Sequence, residues 1–303
     1  MADDIKKVFI VGAGTMGQQI ASVCALHGVS VTLFDVNDEA LKKAMDGIGG
    51  IVNFFVKSGR ITERDRDGVM DRVSVSASLE MAAEGAGLVS ESVPEDPKLK
   101  GQVFARLNEI CPARTIFTTN TSTLLPSMFA PATGRPDRFA AFHFHDVRIT
   151  TVVDVMPHPG TSKETVERVR DFAVRIGQTP IVMERESPGY VFNFMLSALF
   201  ESSMTLAANG VASVDDIDRS WMGVTHMPNG PFGIMDSIGL QTVWKITDFW
   251  AEKLNDPQKK RNAAFIKQYV DRGQLGVKTG RGFYSYPDPR YRKPDFIAGT
   301  KAV

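Results

Sequence analysis

The sequence predicts an α/β fold: a doubly wound, mostly parallel sheet followed by an all-α domain. Three observations carry that expectation. Short apolar runs alternate with helical stretches through the first 186 residues, as in a sheet covered on both faces. The first run passes directly into a glycine-rich turn and a helical pattern. The alternation then stops at Glu184-Arg185-Glu186-Ser187-Pro188, and only helical patterns follow. The expected domains are therefore residues 1–186 and 187–303.

Lys7-Val8-Phe9-Ile10-Val11 is the first strand, and Gly12-Ala13-Gly14-Thr15-Met16-Gly17 fits G-x-G-x-x-G. Ile20, Val23, Cys24 and Leu26 share one side of the helix that follows, and Gly28 stops it. Val31-Thr32-Leu33-Phe34 is a second strand ending on Asp35. This order grips a dinucleotide. Gly12 permits the tight turn, Gly14 lets the backbone approach a pyrophosphate, and Gly17 lets helix and strand lie close. The N–H groups of the helix start, at Thr15 and Met16, face the phosphates. Asp35 is placed for the adenosine ribose hydroxyls. Its charge repels a 2′-phosphate and Val36-Asn37 supplies no arginine, so the expected cofactor is NAD over NADP.

The remaining elements follow in order. Asn37-Asp38-Glu39 starts a helix whose apolar side carries Ile48, Ile51, Val52 and Phe55, ending near Gly59. A charged helix spans about 60–72. Strands are expected at Val73–Val75, Gly87–Glu91, Thr115–Thr118, Phe139–Phe144, Val152–Met156 and Pro180–Met183. Pro97 opens a helix to Ile110, and Thr161-Ser162-Lys163-Glu164 matches a capping box. Right-handed crossovers bring the strand ends at Gly12, Asp35, Glu91 and Asn120 to one crevice. In the second domain, Tyr190–Ala208 is apolar on nearly every side and reads as a buried helix. Ser213 caps a helix, Ile234–Leu254 forms one long stretch after Asn229-Gly230-Pro231, and Asn262–Arg272 closes the domain. Its surplus of apolar residues faces either another subunit or the first domain.

Composition narrows the function classes. Thirty-five basic residues balance thirty-five acidic ones, so no field attracts nucleic acid or an anionic membrane. No apolar run approaches the roughly 20 residues of a membrane span. Cys24 and Cys111 lie far apart and fit neither a metal spacing nor a disulfide framework, so no metal is expected. The acidic start Met1-Ala2-Asp3-Asp4 leads straight into the first strand, which argues against a secretory signal. A cytoplasmic protein is expected.

Three more clusters fall at the crevice: Asn120-Thr121-Ser122 and His143-Phe144-His145 at strand ends, and Asn193 on the first long helix of the second domain. Hydride transfer from an alcohol needs a base, donors for the oxygen and a dry pocket. An imidazole backed by a carboxylate answers the first need.

At these residues the sequence resembles the 3-hydroxyacyl-CoA dehydrogenase family over nearly its whole length. The resemblance rests on Gly12–Gly17, Val93-Pro94-Glu95 with Lys100, Asn120-Thr121-Ser122, and Arg138-Phe139 leading to His143-Phe144. It continues through Pro188-Gly189-Tyr190-Val191-Phe192-Asn193, Gly230-Pro231-Phe232-Gly233 and 275–284. It implies a Rossmann-like NAD domain, a helical substrate and dimerisation domain, a homodimer, and reversible oxidation of a 3-hydroxyacyl thioester in fatty-acid metabolism. It implies His143 as general acid/base, Ser122 as donor to the reacting oxygen and Asn193 as a substrate contact. It puts Glu95 and Lys100 near the nicotinamide-side ribose, and Asn120 and Lys278 near the cofactor.

Two departures stand out. After His143-Phe144 the family has Phe-Asn-Pro, where this chain reads His145-Asp146-Val147; Asp146 thus replaces an asparagine near the cofactor, and His145 is read as structural or pocket-shaping. The glutamate that pairs with the family's histidine is best matched by Asp154. Lys42, Lys43, Lys57 and Arg60 suit CoA phosphates or a solvated helix face alike. Two other readings remain open. Val93-Pro94-Glu95-Asp96 and Pro157-His158-Pro159 resemble lambda-crystallin-like dehydrogenases of small hydroxy or sugar acids. A non-catalytic dinucleotide-binding protein would retain the scaffold without needing Ser122, His143 and Asn193 together.

Overall fold

A computed structural model describes residues 5–298, and the acidic start Met1–Asp4 lies outside them. The chain divides between Val191 and Phe192 into two compact units. The first is a sheet with helices on both faces and the second is helical, the predicted fold class.

The sheet comprises β1 Lys7–Val11, β2 Ser30–Phe34, β3 Val73–Ser76, β4 Leu88–Glu91, β5 Ile116–Thr119, β6 Phe139–Phe144, β7 Val152–Pro157 and β8 Thr179–Val182. They lie in the order β3-β2-β1-β4-β5-β6-β7-β8. Neighbours pair in parallel except for β6 with β7. The helices are α1 Thr15–Leu26, α2 Asp38–Lys57, α3 Glu63–Met70, α4 Leu79–Ala83, α5 Pro97–Ile110 and α6 Lys163–Arg175.

Alternation along each strand sorts side chains between two cores. Val8 and Ile10 pack with Ile20, Leu41 and Phe172 on one face, while Phe9 and Val11 pack with Ala82, Phe104 and Leu107 on the other. Phe104 of α5 meets Phe117, Phe129 and Phe139 at ring-centroid distances of 5.8, 5.9 and 4.9 Å. Burying each such ring contributes about 1.5–3 kcal/mol.

Caps set where the helices begin. Asn37 accepts the N–H groups of Glu39 and Ala40, and Asp96, before Pro97, accepts those of Lys98 and Leu99. The capping box expected to start at Thr161 is displaced by one residue. Ser162 caps α6 by accepting Thr165 N–H, while the Thr161 hydroxyl donates to the Phe139 carbonyl. Two adjacent hydroxyl residues left the choice to tertiary contacts.

The second unit contains α7 Phe192–Ala208, α8 Val214–Thr225, α9 Pro231–Ile238, α10 Leu240–Leu254 and α11 Pro257–Asp271. Three expectations need correction. The stretch Ile234–Leu254 is two helices, because Gly239 at φ 103° breaks it. The last helix begins at Pro257, with Asp256 as its cap. The helix expected to be buried, α7, buries Phe200, Ser203 and Met204 but leaves Phe192, Phe194, Met195 and Leu206 exposed. Tyr190 precedes it in a turn with φ 55°.

Two buried carboxylates organise this unit. Asp218 of α8 accepts Phe232 N–H at 2.9 Å, Gly233 N–H at 3.0 Å and the Tyr284 hydroxyl at 2.9 Å, so it caps α9 from a neighbouring helix. Asp236 accepts the N–H groups of Phe283 and Tyr284 and the Tyr286 hydroxyl. Burial pushes the Asp218 carboxyl up to about 6 against its three donors. Removing that carboxylate strands two backbone donors in the interior. Asp218→Ala is expected to cost about 3 kcal/mol, since an unsatisfied buried group costs about 1–3 kcal/mol. Urea unfolding followed by tryptophan fluorescence measures it, and an unchanged midpoint would exclude this capping role.

Candidate active site

The glycine turn sits where β1 feeds α1. Gly12 has φ 109°, and a Cβ there would lie 2.6 Å from the Ser92 carbonyl oxygen. A Cβ on Gly17 would lie 2.0 Å from the Gly12 carbonyl oxygen, so side chains are excluded at both positions. Gly14 has nothing within 4 Å of its Cβ position, leaving the backbone open to a ligand. It is the N-cap of α1 and offers no side chain, so the first-turn N–H groups at Thr15 and Met16 have no side-chain cap. Asp35 follows β2; its Oδ2 accepts Ala13 N–H at 2.9 Å and its Oδ1 accepts Asn37 N–H at 3.0 Å. The carboxylate therefore ties the turn to the strand end. An uncapped helix start, open space at Gly14 and an acid beside them fit the pyrophosphate and ribose of a dinucleotide.

One buried ion pair underlies the next part of the edge. Glu91, the last residue of β4, is fully buried and receives Lys100 Nζ at 2.7 Å, Val93 N–H at 2.8 Å and the Thr119 hydroxyl at 2.6 Å. Lys100 of α5 is 1% exposed and also donates to the Val93 carbonyl at 3.1 Å. Burial raises the Glu91 carboxyl, opposed first by Lys100. The Lys100 ammonium also lies 3.4 Å from Glu95. Lys100 thus serves the crevice from beneath, by fixing the chain that carries Glu95.

Glu95 gathers the loop after β5. Its Oε1 accepts the Thr121 hydroxyl, the Ser122 and Thr123 N–H groups at 3.2 Å each and the Thr123 hydroxyl at 2.8 Å. Burial raises this carboxyl, but the hydroxyl donors and Lys100 outweigh it and hold it below the usual range. Ser122 is exposed at the loop tip. The Asn120 Oδ1 accepts Phe144 N–H at 2.7 Å, fastening this loop to the end of β6.

Register decides the histidine's partner. In the antiparallel pairing of β6 with β7, His143 lies opposite Asp154, so both side chains share one face. His143 Nδ1 is 3.0 Å from Asp154 Oδ2, and the two residues are 5% and 1% exposed. Burial opposes the Asp154 charge, yet hydrogen bonds from the two imidazoles prevail and its carboxyl falls below the usual range. With an anion on that side, Nδ1 carries the proton and Nε2 is left as the acceptor. Tyr190 stacks on the His143 ring at 4.6 Å and 10°, its hydroxyl donating to the Thr121 carbonyl at 2.6 Å.

The residues after His143 differ from expectation. His145 Nε2 reaches the same Asp154 oxygen at 3.1 Å. Asp146 forms a two-pronged pair with Arg148, at 2.9 and 2.5 Å, so its charge is compensated locally. The Arg60 guanidinium donates to the carbonyls of Val147 and Arg148 at 2.7 and 2.9 Å, which commits it to this loop. Gln19 of α1 accepts Val147 N–H at 2.9 Å.

The first unit therefore brings Gly12, Gly14, Gly17, Asp35, Glu95, Asn120, Ser122 and His143 to the ends of adjoining strands. Asn193, half-buried in the first turn of α7, and Lys278, exposed in a short turn, belong to the second unit. Sequence reading placed Glu91 at the crevice, where it is instead buried beneath on Lys100, and it missed the contact of His145 with Asp154 and the contacts of Gln19 and Tyr190. For His145 a signal existed: residues two apart on a strand share a face.

A parallel sheet with this turn at one strand end and an imidazole–carboxylate pair at another is the scaffold of an NAD-binding dehydrogenase. The chain belongs to the 3-hydroxyacyl-CoA dehydrogenase family. Residues 7–187 match its NAD binding domain and residues 189–286 its C-terminal domain. A probable 3-hydroxybutyryl-CoA dehydrogenase of Bacillus subtilis is 34% identical over 94% of this chain and 99% of its own length. A probable 3-hydroxyacyl-CoA dehydrogenase of Caenorhabditis elegans is 35% identical, covering 93% of this chain and 96% of that protein. Among solved structures, the (S)-3-hydroxybutyryl-CoA dehydrogenase of Ralstonia eutropha has a TM-score of 0.84 at 31% identity, over 94% of this chain and all of that one. A diketoreductase acting on dicarbonyl compounds has a TM-score of 0.86 at 37% identity, over 93% of this chain and 99% of its own.

Asp35→Ser is expected to weaken NADH binding about tenfold, the equivalent of about 1.4 kcal/mol, and to erase discrimination against NADPH. Fluorescence titration with both nucleotides checks this. Retained discrimination would remove Asp35 from ribose recognition.

Proposed function

We propose that this chain is an NAD-dependent oxidoreductase that interconverts 3-hydroxyacyl-CoA and 3-oxoacyl-CoA. The observation that carries the reading is the His143–Asp154 pair, held 3.0 Å apart by strand register at the crevice edge. NAD, when bound, supplies the hydride acceptor for the alcohol, and NADH the donor in reverse. Gly12, Gly14, Gly17, Thr15 and Met16 hold its pyrophosphate, and Asp35 its adenosine ribose. Glu95 would serve the other ribose, with Lys100 as its support, and Asn120, Asp146 and Lys278 would each supply a cofactor contact.

The proton steps follow from the tautomer. His143 Nε2 accepts the hydroxyl proton during oxidation and returns it during reduction. Asp154 stabilises the imidazolium that forms, and the Tyr190 ring face adds a weaker attraction to the same charge. The Ser122 hydroxyl donates to the reacting oxygen. Asn193, in the second domain proposed to begin at residue 187, carries a substrate contact. Asp146, neutralised by Arg148, would bring little net charge to the cofactor.

A second reading keeps the chemistry and drops the CoA handle. The resemblance to the diketoreductase favours it, as does the commitment of Arg60 to backbone carbonyls. The substrate would then be a small dicarbonyl or hydroxy acid. Exposed Phe194, Met195, Phe249 and Trp250 in the helical unit support a homodimer formed through that unit. Buried, unpaired Cys24 and Cys111 agree with a reducing compartment such as the cytoplasm. No helix among the described residues is long and apolar enough to cross a membrane.

Acetoacetyl-CoA with NADH is expected to give NADH oxidation at 340 nm, and His143→Ala to lower kcat about a thousandfold, within the span of about 10²–10⁴ for a general acid/base. Turnover of free dicarbonyls without thioester activity would select the second reading. NADH binding without turnover of either class would reject both. Sedimentation velocity is expected to show a dimer, and Phe194→Asp with Met195→Asp to yield monomers. A wild-type monomer would refute the assembly.

A further inference from the structure

One carboxylate oxygen serves two imidazoles, and that convergence suggests more than positioning. His143 Nδ1 and His145 Nε2 approach Asp154 Oδ2 at 3.0 and 3.1 Å, and the three donor atoms lie within 4.8 Å of one another. We infer that His143, His145 and Asp154 form an inhibitory binding site for a divalent cation of the Zn2+ type.

The donor set is the reason for that class. Two neutral imidazoles and one carboxylate, with a fourth position left for water, is a zinc ligand set. With metal–ligand bonds of about 2.1 Å, tetrahedral neighbours lie about 3.4 Å apart, so each N···O separation must open by about 0.3–0.4 Å while the two imidazole nitrogens, within 4.8 Å of each other, come to the same spacing by turning their rings. Hard cations such as Mg2+ prefer six oxygen ligands and do not suit this set. The ligands are also preoriented: strand register fixes His143 against Asp154, and His145, two residues on, turns its ring to the same side. The His145 side chain is 17% exposed against 7% and 1% for the other two, which gives an ion its approach.

Occupancy would act through a tautomer. A metal bound to His143 Nδ1 and His145 Nε2 requires the lone pair of each, so both of those N–H protons leave to solvent and each ring takes up a proton on its other nitrogen, Nε2 of His143 and Nδ1 of His145. Both rings remain neutral, but Nε2 of His143 becomes an N–H donor and no longer accepts the alcohol proton. Asp154 meanwhile gives its charge to the metal. Inhibition in this form rests on the proposed role of His143, whereas metal binding itself does not.

The test therefore reads binding first. Zn2+ is titrated into the full-length protein against a chromophoric chelator, without nucleotide or substrate, and Co2+ is added separately to record its visible absorption. One Zn2+ per chain is expected, with a tetrahedral Co2+ spectrum. His145→Asn should weaken Zn2+ binding at least about tenfold, the lower range for disturbing a metal site, while His226→Asn, in the helical unit, should bind as the wild type does. Circular dichroism confirms that each variant is folded. Equal Zn2+ affinity in wild type and His145→Asn, or an octahedral Co2+ spectrum, would overturn the site. If the site binds, Zn2+ should suppress NADH oxidation and EDTA should restore it. Binding without suppression would overturn the inhibitory role alone.

Discussion

Because β6 and β7 run antiparallel where every other neighbouring pair of strands is parallel, one residue on each is forced into direct opposition. His143 meets Asp154 through that reversal, on the face that carries Ala141, Met156 and Tyr190. Phe142, Phe144, Val153 and Val155 point to the other face and are locked in its core. A slip of one residue in register would drive those side chains out of the core and the imidazole into it. The apolar contacts of one face thus hold the polar pair of the other. The chemistry depends on a packing constraint.

The same edge also depends on burying charge. Glu91 and Lys100 are both taken from water, which costs several kcal/mol per ion, and their attraction offsets this only with further hydrogen bonds. Those bonds are present: Thr119 and the Val93 N–H reach Glu91, and the Val93 carbonyl receives Lys100. The gain lies in geometry. The pair pins β4, β5 and α5 to each other at the level where the ligand loops leave the sheet, and Glu95 then collects the loop that holds Ser122. An apolar replacement of similar volume would fill the space without directing those loops.

The fold and most of the candidate site were legible in the sequence because they rest on short-range patterns. All eight strands follow from apolar runs, and the glycine turn from spacing. The misreadings have distinct physical causes. At Gly239 a single residue with positive φ splits a stretch whose periodicity continues on both sides, and periodicity cannot see it. The apolar face of α7 was read as buried because composition reports the number of apolar side chains and not what covers them. The Glu91–Lys100 pair and the contact of Gln19 with Val147 join residues 9 and 128 apart in the chain, and neither partner is unusual in its local context. Asp154 could be matched by alignment, but its pairing needed the strand register.

Departure from the family pattern after His143 is better understood as a change of the whole loop than as single replacements. Where the resemblance expects a proline, this chain has Val147. Here the turn is held by side chains: Arg60 grips two carbonyls, Gln19 grips an N–H, and Asp146 closes on Arg148. The Asp146 carboxylate, where the resemblance expects an asparagine, has its counter-ion Arg148 two residues later, so its charge is compensated locally. Asp154 is one methylene shorter than the expected glutamate, and strand pairing directly across from His143 closes that gap. His145 is the residue left over from such an exchange. It stands on the same carboxylate as His143, and a second imidazole on one buried oxygen is what turns a pair into a ligand set.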